Sequence, residues 1–257
     1  MNQRYQNLPV LAVGMAADVR AYLELMRLKN VFLAAITVPL GAQFAIGDQW
    51  IDQYLIEVLL QTFAVIFFIG AGNTMNDIKD CDIDKTAHPN RPIPSNKVSI
   101  ENAKKFTWIL WIVSFSCMGY GAFRLSEGGM SWIPLVVIYF SAVILMLSYD
   151  HGPKTKNSGL IGNISISLMV GAVILYGSSS VSAIESTLAW WTAGVVFFTN
   201  LAREIIKDCQ DIESDEGIRN TLPMSFGLQN SRMFAYVIIM AALVCLYMPY
   251  WKGPFEF

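Results

Sequence analysis

Two acidic runs carry the residue types best suited to chemistry. The first reads Asn76-Asp77-Ile78-Lys79-Asp80-Cys81-Asp82-Ile83-Asp84. On a helix, positions three, four and seven apart share a face. That spacing aligns Asn76, Asp80 and Asp84, sets Asp77 beside them and turns Asp82 away. Like charges on one face repel each other and call for a positive partner. Hard carboxylate oxygens suit Mg²⁺, which keeps part of its shell for water and substrate phosphate. A solvated acidic loop is the plainer reading of this run taken alone. The second run reads Ala202-Arg203-Glu204-Ile205-Ile206-Lys207-Asp208-Cys209-Gln210-Asp211-Ile212-Glu213-Ser214-Asp215. Here Glu204, Asp208, Asp211 and Asp215 form one stripe, Arg203 and Lys207 form a basic stripe beside it, and Glu213 falls outside. Two such stripes facing one cavity can chelate Mg²⁺ ions that bridge a diphosphate and stabilise it as a leaving group.

Cations accompany both runs. A stretch with three prolines, Pro89, Pro92 and Pro94, follows the first run and forbids a long regular helix. It presents Arg91, whose guanidinium can hold phosphate oxygens in a bidentate way or simply anchor a membrane-facing loop. Lys154 and Lys156 lie in the segment between the two runs and have the same two readings. His88 reads as a surface residue. Asn30, Asn163 and Asn200 sit in apolar surroundings, where an amide is costly unless it faces the interior of a bundle. The four cysteines, Cys81, Cys117, Cys209 and Cys245, show neither zinc spacing nor a disulfide framework.

The elements that must hold these residues are membrane helices. Of 257 residues, 54% are hydrophobic and only 15% charged, against roughly 25% charged in a soluble domain. Mean hydropathy is +0.44. A net charge of -2 gives no basic excess for nucleic acid. Spans need about twenty apolar residues, and seven stretches qualify: about 30–47, 55–75, 106–123, 131–149, 161–179, 185–203 and 233–250. The second and sixth run on into the acidic segments. Lys and Arg concentrate before the first span and after the second, fourth and sixth, while the connections after the first, third and fifth are poor in them. Basic loops mark the cytoplasmic side. The N-terminus and both acidic runs are therefore expected in the cytoplasm, in a multi-pass protein of the cell membrane. Residues 1–26 read as an N-terminal interfacial segment, with Tyr22, Leu23 and Met26 opposite Arg20, Glu24 and Arg27. No linker divides the chain, and nothing in it names a protein partner.

At these two runs the chain resembles the UbiA superfamily of intramembrane prenyltransferases. Asn76, Asp77, Asp80 and Asp84 meet its first motif, Asn-Asp-x-x-Asp-x-x-x-Asp, and residues 90–95 meet the Asn-Arg-Pro-Ile-Pro-Ser stretch after it. Asp208, Asp211 and Asp215 meet the second motif. Arg27-Leu28-Lys29-Asn30 and Gly159-Leu160-Ile161-Gly162-Asn163 fit as well, so the resemblance covers the chain from about residue 19. Arg203-Glu204-Ile205-Ile206-Lys207-Asp208 and Thr221-Leu222-Pro223 make it most similar to the archaeal digeranylgeranylglyceryl phosphate synthase branch. The resemblance implies an all-α transmembrane bundle and a single intramembrane domain over 1–257. The family has nine helices around a cavity, so its last two are expected to be missing here. It further implies a Mg²⁺-dependent enzyme that moves a geranylgeranyl group from its diphosphate to the free hydroxyl of geranylgeranylglyceryl phosphate, in archaeal ether-lipid synthesis. The alternative is an aromatic acceptor of a quinone or chlorophyll-type pathway. The implied metal ligands are Asp77, Asp80, Asp84, Asp208, Asp211 and Asp215, with Asn76 orienting a ligand or a bound water. Arg91, Lys154, Lys156, Arg203 and Lys207 are the implied phosphate contacts.

Overall fold

The computed structural model describes residues 19–150, 155, 158–215 and 220–255. Among these the chain is helical, with no strand beyond one bridge between Ser158 and Asn220. The elements are α1 (helical over 19–26), α2 (Leu28–Ile46), α3 (Gln49–Gln53), α4 (Leu55–Lys79), α5 (Cys81–Ala87), α6 (Ile100–Glu127), α7 (Ile133–Asp150), α8 (Leu160–Ser179), α9 (Thr187–Gln210), α10 (Ile212–Asp215), α11 (Leu222–Phe226) and α12 (Leu228–Lys252). Long helices thus lie over all seven stretches expected to be spans. By length and composition, five are apolar enough to cross a membrane: α2, α4, α6, α8 and α12. Helix α7 is shorter, and α9 is long but carries its charged end within the helix.

Two compact units emerge. The first comprises the chain up to Ala35 together with Phe63–Ser116. In it, α1 packs through Ala21 and Leu25 on Cys81, Ile93, Val98 and Ala103, and Tyr22 meets Phe106 edge-on at 4.9 Å. Leu23, expected on the apolar stripe, is exposed; the buried face of α1 is Ala21, Leu25 and Met26. Ser114 Oγ donates to Ala64 O at 2.7 Å and ties α6 to α4. Between α5 and α6 the proline-containing stretch forms consecutive turns, pinned by buried Ile93 and Val98.

The second unit comprises Ile36–Thr62 and Cys117–Phe257. Apolar burial gives helices little net attraction in lipid, so small residues and polar contacts carry much of the packing. Gly41 and Gly177 let α2 and α8 touch along their backbones: a Cβ on Gly177 would lie 2.1 Å from Val38 O. Tyr176 donates to Gln61 Oε1 at 2.5 Å, and Arg124 pairs with Glu57 at 2.7 Å. Hydroxyls such as Thr62 and Ser167 bond back to the carbonyl one turn earlier, so they do not face lipid unpaired. The outer face of α12 exposes Tyr236, Val237, Met240, Val244 and Tyr247.

Candidate functional site

The first acidic run begins in the last turn of α4 and ends in α5. Asp80 stands at the junction with φ -88° and ψ 7°, in the sparsely allowed region where turn and active-site residues gather. Its N–H still donates to Asn76 O at 2.9 Å, and Asp84 N–H still donates to Asp80 O at 2.8 Å. The chain therefore changes direction without unravelling. The residues of the expected stripe differ in depth. Asp77 and Asp84 are the buried pair, at 3% exposure each, while Asn76 and Asp80 are half-buried. Asp77 and Asp84 lie seven apart, and that spacing keeps them on one face across the junction.

Two guanidiniums meet the buried pair. Arg27 Nη2 donates to Asp77 Oδ1 at 2.6 Å. Arg91 Nη1 donates to Asp84 Oδ2 at 2.5 Å and lies 3.7 Å from Asp77 Oδ1. The turns after α5 aim Arg91, whose carbonyl accepts from Ser95 N–H and from Ser95 Oγ. A cleft of about 430 Å³ opens here, lined by Arg27, Asp77, His88, Asn90 and Arg91 among others. Asp82 is exposed, as its spacing predicts, and bonds Lys85 at 2.8 Å. The hydrogen bond from Lys85 and its charge hold the Asp82 carboxyl below its usual range.

The second run repeats this local design at the end of α9. Asp208, Asp211 and Asp215 have the same three-then-four spacing as Asp77, Asp80 and Asp84. The helix again breaks at the middle carboxylate: Asp211 has φ -93° and ψ 9°. Asp208 and Asp211 are half-buried, and Glu213 is exposed. Asn163, buried near the start of α8, donates from Nδ2 to Asp208 Oδ2 at 2.8 Å. Behind it, Ser167 Oγ donates to Asn163 O and Asn200 Nδ2 donates to Ser167 Oγ. These amides have thus found partners inside the helix pair, as their apolar surroundings require. Arg203 and Lys207 are exposed; Arg203 is paired with Glu204, and both cations line a groove of about 390 Å³ beside Tyr236 and Ile239. Lys154 and Lys156 lie outside the described residues, as does the side chain of Asp215.

The donor set suits Mg²⁺. Among the described residues no three His, Cys, Asp or Glu side chains converge on one point, so this is no all-protein metal cage. Asp77 and Asp84 do reach the same guanidinium nitrogen, at 3.7 and 2.5 Å. One or two carboxylates, with water and phosphate completing the shell, is the arrangement Mg²⁺ favours. Spacing pointed to the carboxylates, to Arg91 and to Asn73 one turn before Asp77, and Arg27 entered with the Arg27-Leu28-Lys29-Asn30 stretch. Sequence did not show that Arg27 meets Asp77, nor that the Asn73 side-chain amide donates to Met26 O at 2.8 Å. For Asn163 the signal was a buried amide in an apolar span.

Similarity to known proteins agrees with this chemistry. The digeranylgeranylglyceryl phosphate synthase of Methanococcus aeolicus is 32% identical, over 94% of this chain and 80% of its own. That of Methanobrevibacter smithii is 34% identical over 85% and 73%. A solved structure of a digeranylgeranylglyceryl phosphate synthase superposes with a TM-score of 0.74 at 28% identity, covering 91% of this chain and 77% of that one. A UbiA homolog from Archaeoglobus fulgidus, bound to GPP and Mg²⁺, shares the fold with a TM-score of 0.65 at 17% identity over 88% and 76%. The UbiA prenyltransferase family itself matches residues 34–257. This chain belongs to the UbiA prenyltransferase family.

Proposed function

We propose that the chain transfers a geranylgeranyl group from geranylgeranyl diphosphate to the free hydroxyl of geranylgeranylglyceryl phosphate, releasing diphosphate and forming the second ether bond of archaeal membrane lipid. The observation that carries this reading is the repeated Asp-x-x-Asp-x-x-x-Asp run, broken each time at its middle carboxylate, at the charged ends of α4 and α9. The names of the similar proteins support the choice of acceptor. In this reading Asp77, Asp80, Asp84, Asp208, Asp211 and Asp215 hold Mg²⁺, and Asn76 orients a ligand or a bound water. The metal supplies Lewis-acid neutralisation of the departing diphosphate. Arg91, Arg203 and Lys207, with Lys154 and Lys156, bind phosphate oxygens and meet the charge that develops as the C1–O bond breaks. The acceptor hydroxyl attacks C1 of the prenyl group and loses its proton to the medium. Apolar helices keep water from the allylic carbon, which would otherwise be hydrolysed. The acidic runs work on the cytoplasmic side of the membrane.

The test is transfer of labelled geranylgeranyl by the purified protein in lipid nanodiscs with Mg²⁺, offered phosphorylated-glycerol and aromatic acceptors side by side. Label is expected on geranylgeranylglyceryl phosphate; label on an aromatic acceptor alone would overturn the proposed acceptor. Asp80→Ala and Asp208→Ala should each lower turnover by about two orders of magnitude, the scale on which a displaced electrostatic catalyst is felt. Unchanged turnover in both would remove the metal site from the account.

A further inference from the structure

The second acidic run contains one carboxylate that the proposed metal site does not use. Glu204 shares a stripe with Asp208, Asp211 and Asp215 by spacing. It stands one turn before Asp208 on α9, about 6 Å along the axis at 1.5 Å per residue. That displacement runs away from the charged end of the helix and toward its largely apolar body, residues 188–202. The Glu204 side chain keeps 15% of its surface open. An acid at the edge of an apolar helix is costly, and where one is kept it marks function more often than packing.

Its neighbours along the same face tie α9 to α8. Asp208 accepts from Asn163 Nδ2 at 2.8 Å, and Asn200, four residues before Glu204, donates to Ser167 Oγ at 3.1 Å. Glu204 instead bonds Arg203, the preceding residue of its own helix. Arg203 is 67% exposed, and an ion pair that open adds little to stability. Cohesion between α8 and α9 therefore does not account for this carboxylate. The first run offers a contrast. Asn73 stands four residues before Asp77, as Glu204 stands before Asp208, and its amide is taken up by the Met26 carbonyl. Only the second run has an acid at this level. A carboxylate has two oxygens with room for several donors, so Glu204 can keep Arg203 and still accept from a hydroxyl. Arg203 is among the cations proposed above to hold phosphate, which brings Glu204 beside a bound diphosphate. One turn toward the apolar side of the carboxylates is the depth of the prenyl C1, which hangs from that diphosphate.

We propose that Glu204 is the proton acceptor for the attacking hydroxyl, a role that rests on the prenyl-transfer reading above. The C1–O bond to the diphosphate breaks, and its electron pair leaves with the diphosphate. The acceptor oxygen bonds C1, and its proton passes to a Glu204 carboxylate oxygen and from there to the medium. A hydroxyl turns strongly acidic as it bonds a cationic carbon, so a carboxylate is base enough at that moment. Its placement within reach of the hydroxyl is what matters.

The experiment uses the full chain in lipid nanodiscs with geranylgeranyl diphosphate, geranylgeranylglyceryl phosphate and Mg²⁺, and measures ether formed and diphosphate released separately. Glu204→Gln keeps the size and removes the base. It should lower kcat for ether formation by about 100-fold or more, the usual contribution of a general base. The donor KM and the Mg²⁺ midpoint should stay within about twofold, since neither binding step uses the group. Diphosphate released should then exceed ether formed, because water intercepts the ionised donor. Glu204→Asp should recover part of the rate. Formate should restore transfer to Glu204→Ala, and chloride at equal ionic strength should not. The proposal is overturned if Glu204→Gln forms ether within about threefold of the wild-type rate, or if its donor KM or Mg²⁺ midpoint shifts as much as kcat, which would make Glu204 a phosphate or metal residue. If Glu204→Gln does not survive purification, formate rescue of Glu204→Ala decides the matter by itself. A wild type that forms no ether would sink the prenyl-transfer reading and this role with it. A wild type that transfers beside an equally active Glu204→Gln overturns the role of Glu204 alone.

Discussion

Asn163 illustrates how a residue outside the acidic motifs governs one inside. Its amide gives Asp208 a fixed donor at 2.8 Å, which orients the carboxylate. Partners of this kind, once removed, weaken metal affinity by roughly 10- to 100-fold in known metal sites. Asn163→Ala should accordingly raise the Mg²⁺ concentration for half-maximal transfer by about tenfold, with kcat at saturating Mg²⁺ much less affected. A Mg²⁺ titration of the rate reads this directly, and an unchanged midpoint would leave Asn163 a packing residue. At this scale the sequence was a good guide to residue identity and a poorer one to direction. Asp82 and Glu213 are exposed, as their spacing predicts. The seven-residue spacing that joins Asp77 to Asp84 holds, and both are buried, but the break at Asp80 was not foreseen, because nothing in Lys79-Asp80-Cys81 marks one. Neither Gly nor Pro stands there. Arg27 was legible in the Arg27-Leu28-Lys29-Asn30 stretch, but its left-handed backbone between two helical segments has no signature in an Arg.

Among the elements, the contact between α2 and α8 is the tightest test of the packing. A Cβ at Gly177 would lie 2.1 Å from Val38 O, and one at Gly41 would lie 2.2 Å from Ile174 O. These obstacles are backbone carbonyls, so relief requires the helices to separate. Gly177→Ala should therefore destabilise the protein by about 1–3 kcal/mol, the usual range for overpacking. Gly119, on an exposed part of α6 with nothing within 4 Å of its Cβ position, is the matched control. There Ala should be neutral or stabilising by up to about 1 kcal/mol, since glycine weakens a helix interior. Thermal unfolding in detergent compares the two, and equal losses would mean that helix propensity and not contact decides. The long helices were legible because apolar runs bounded by polar, Gly or Pro residues have few alternatives. The pairing of Gly41 with Gly177 was not, since both glycines look like ordinary small residues until the partner helix is known.

At the scale of the molecule, the proposed orientation in the bilayer rests on the distribution of Lys and Arg along the chain. The connections between α2 and α4, α6 and α7, and α8 and α9 contain no Lys or Arg, while those after α4, α7 and α9 do. Arg124 is the exception, in the last turn of α6. Its guanidinium is paired with Glu57 in the first turn of α4 at 2.7 Å, so it adds little net positive charge at that end. Helix α6 has 28 residues, about 42 Å at 1.5 Å per residue, enough to carry its two ends to opposite sides of a hydrocarbon core of about 30 Å. Lys97, just before α6, and Glu127, at its end, are both exposed, so cysteines placed there report the two sides without disturbing packing. The native cysteines give little background to a polar reagent, since Cys81, Cys209 and Cys245 are buried and Cys117 is half-buried. In intact cells a membrane-impermeant maleimide should label Glu127→Cys and not Lys97→Cys; after permeabilisation both should react. The reverse pattern would place the acidic runs outside, away from a cytoplasmic supply of prenyl diphosphate, and would overturn the proposed orientation.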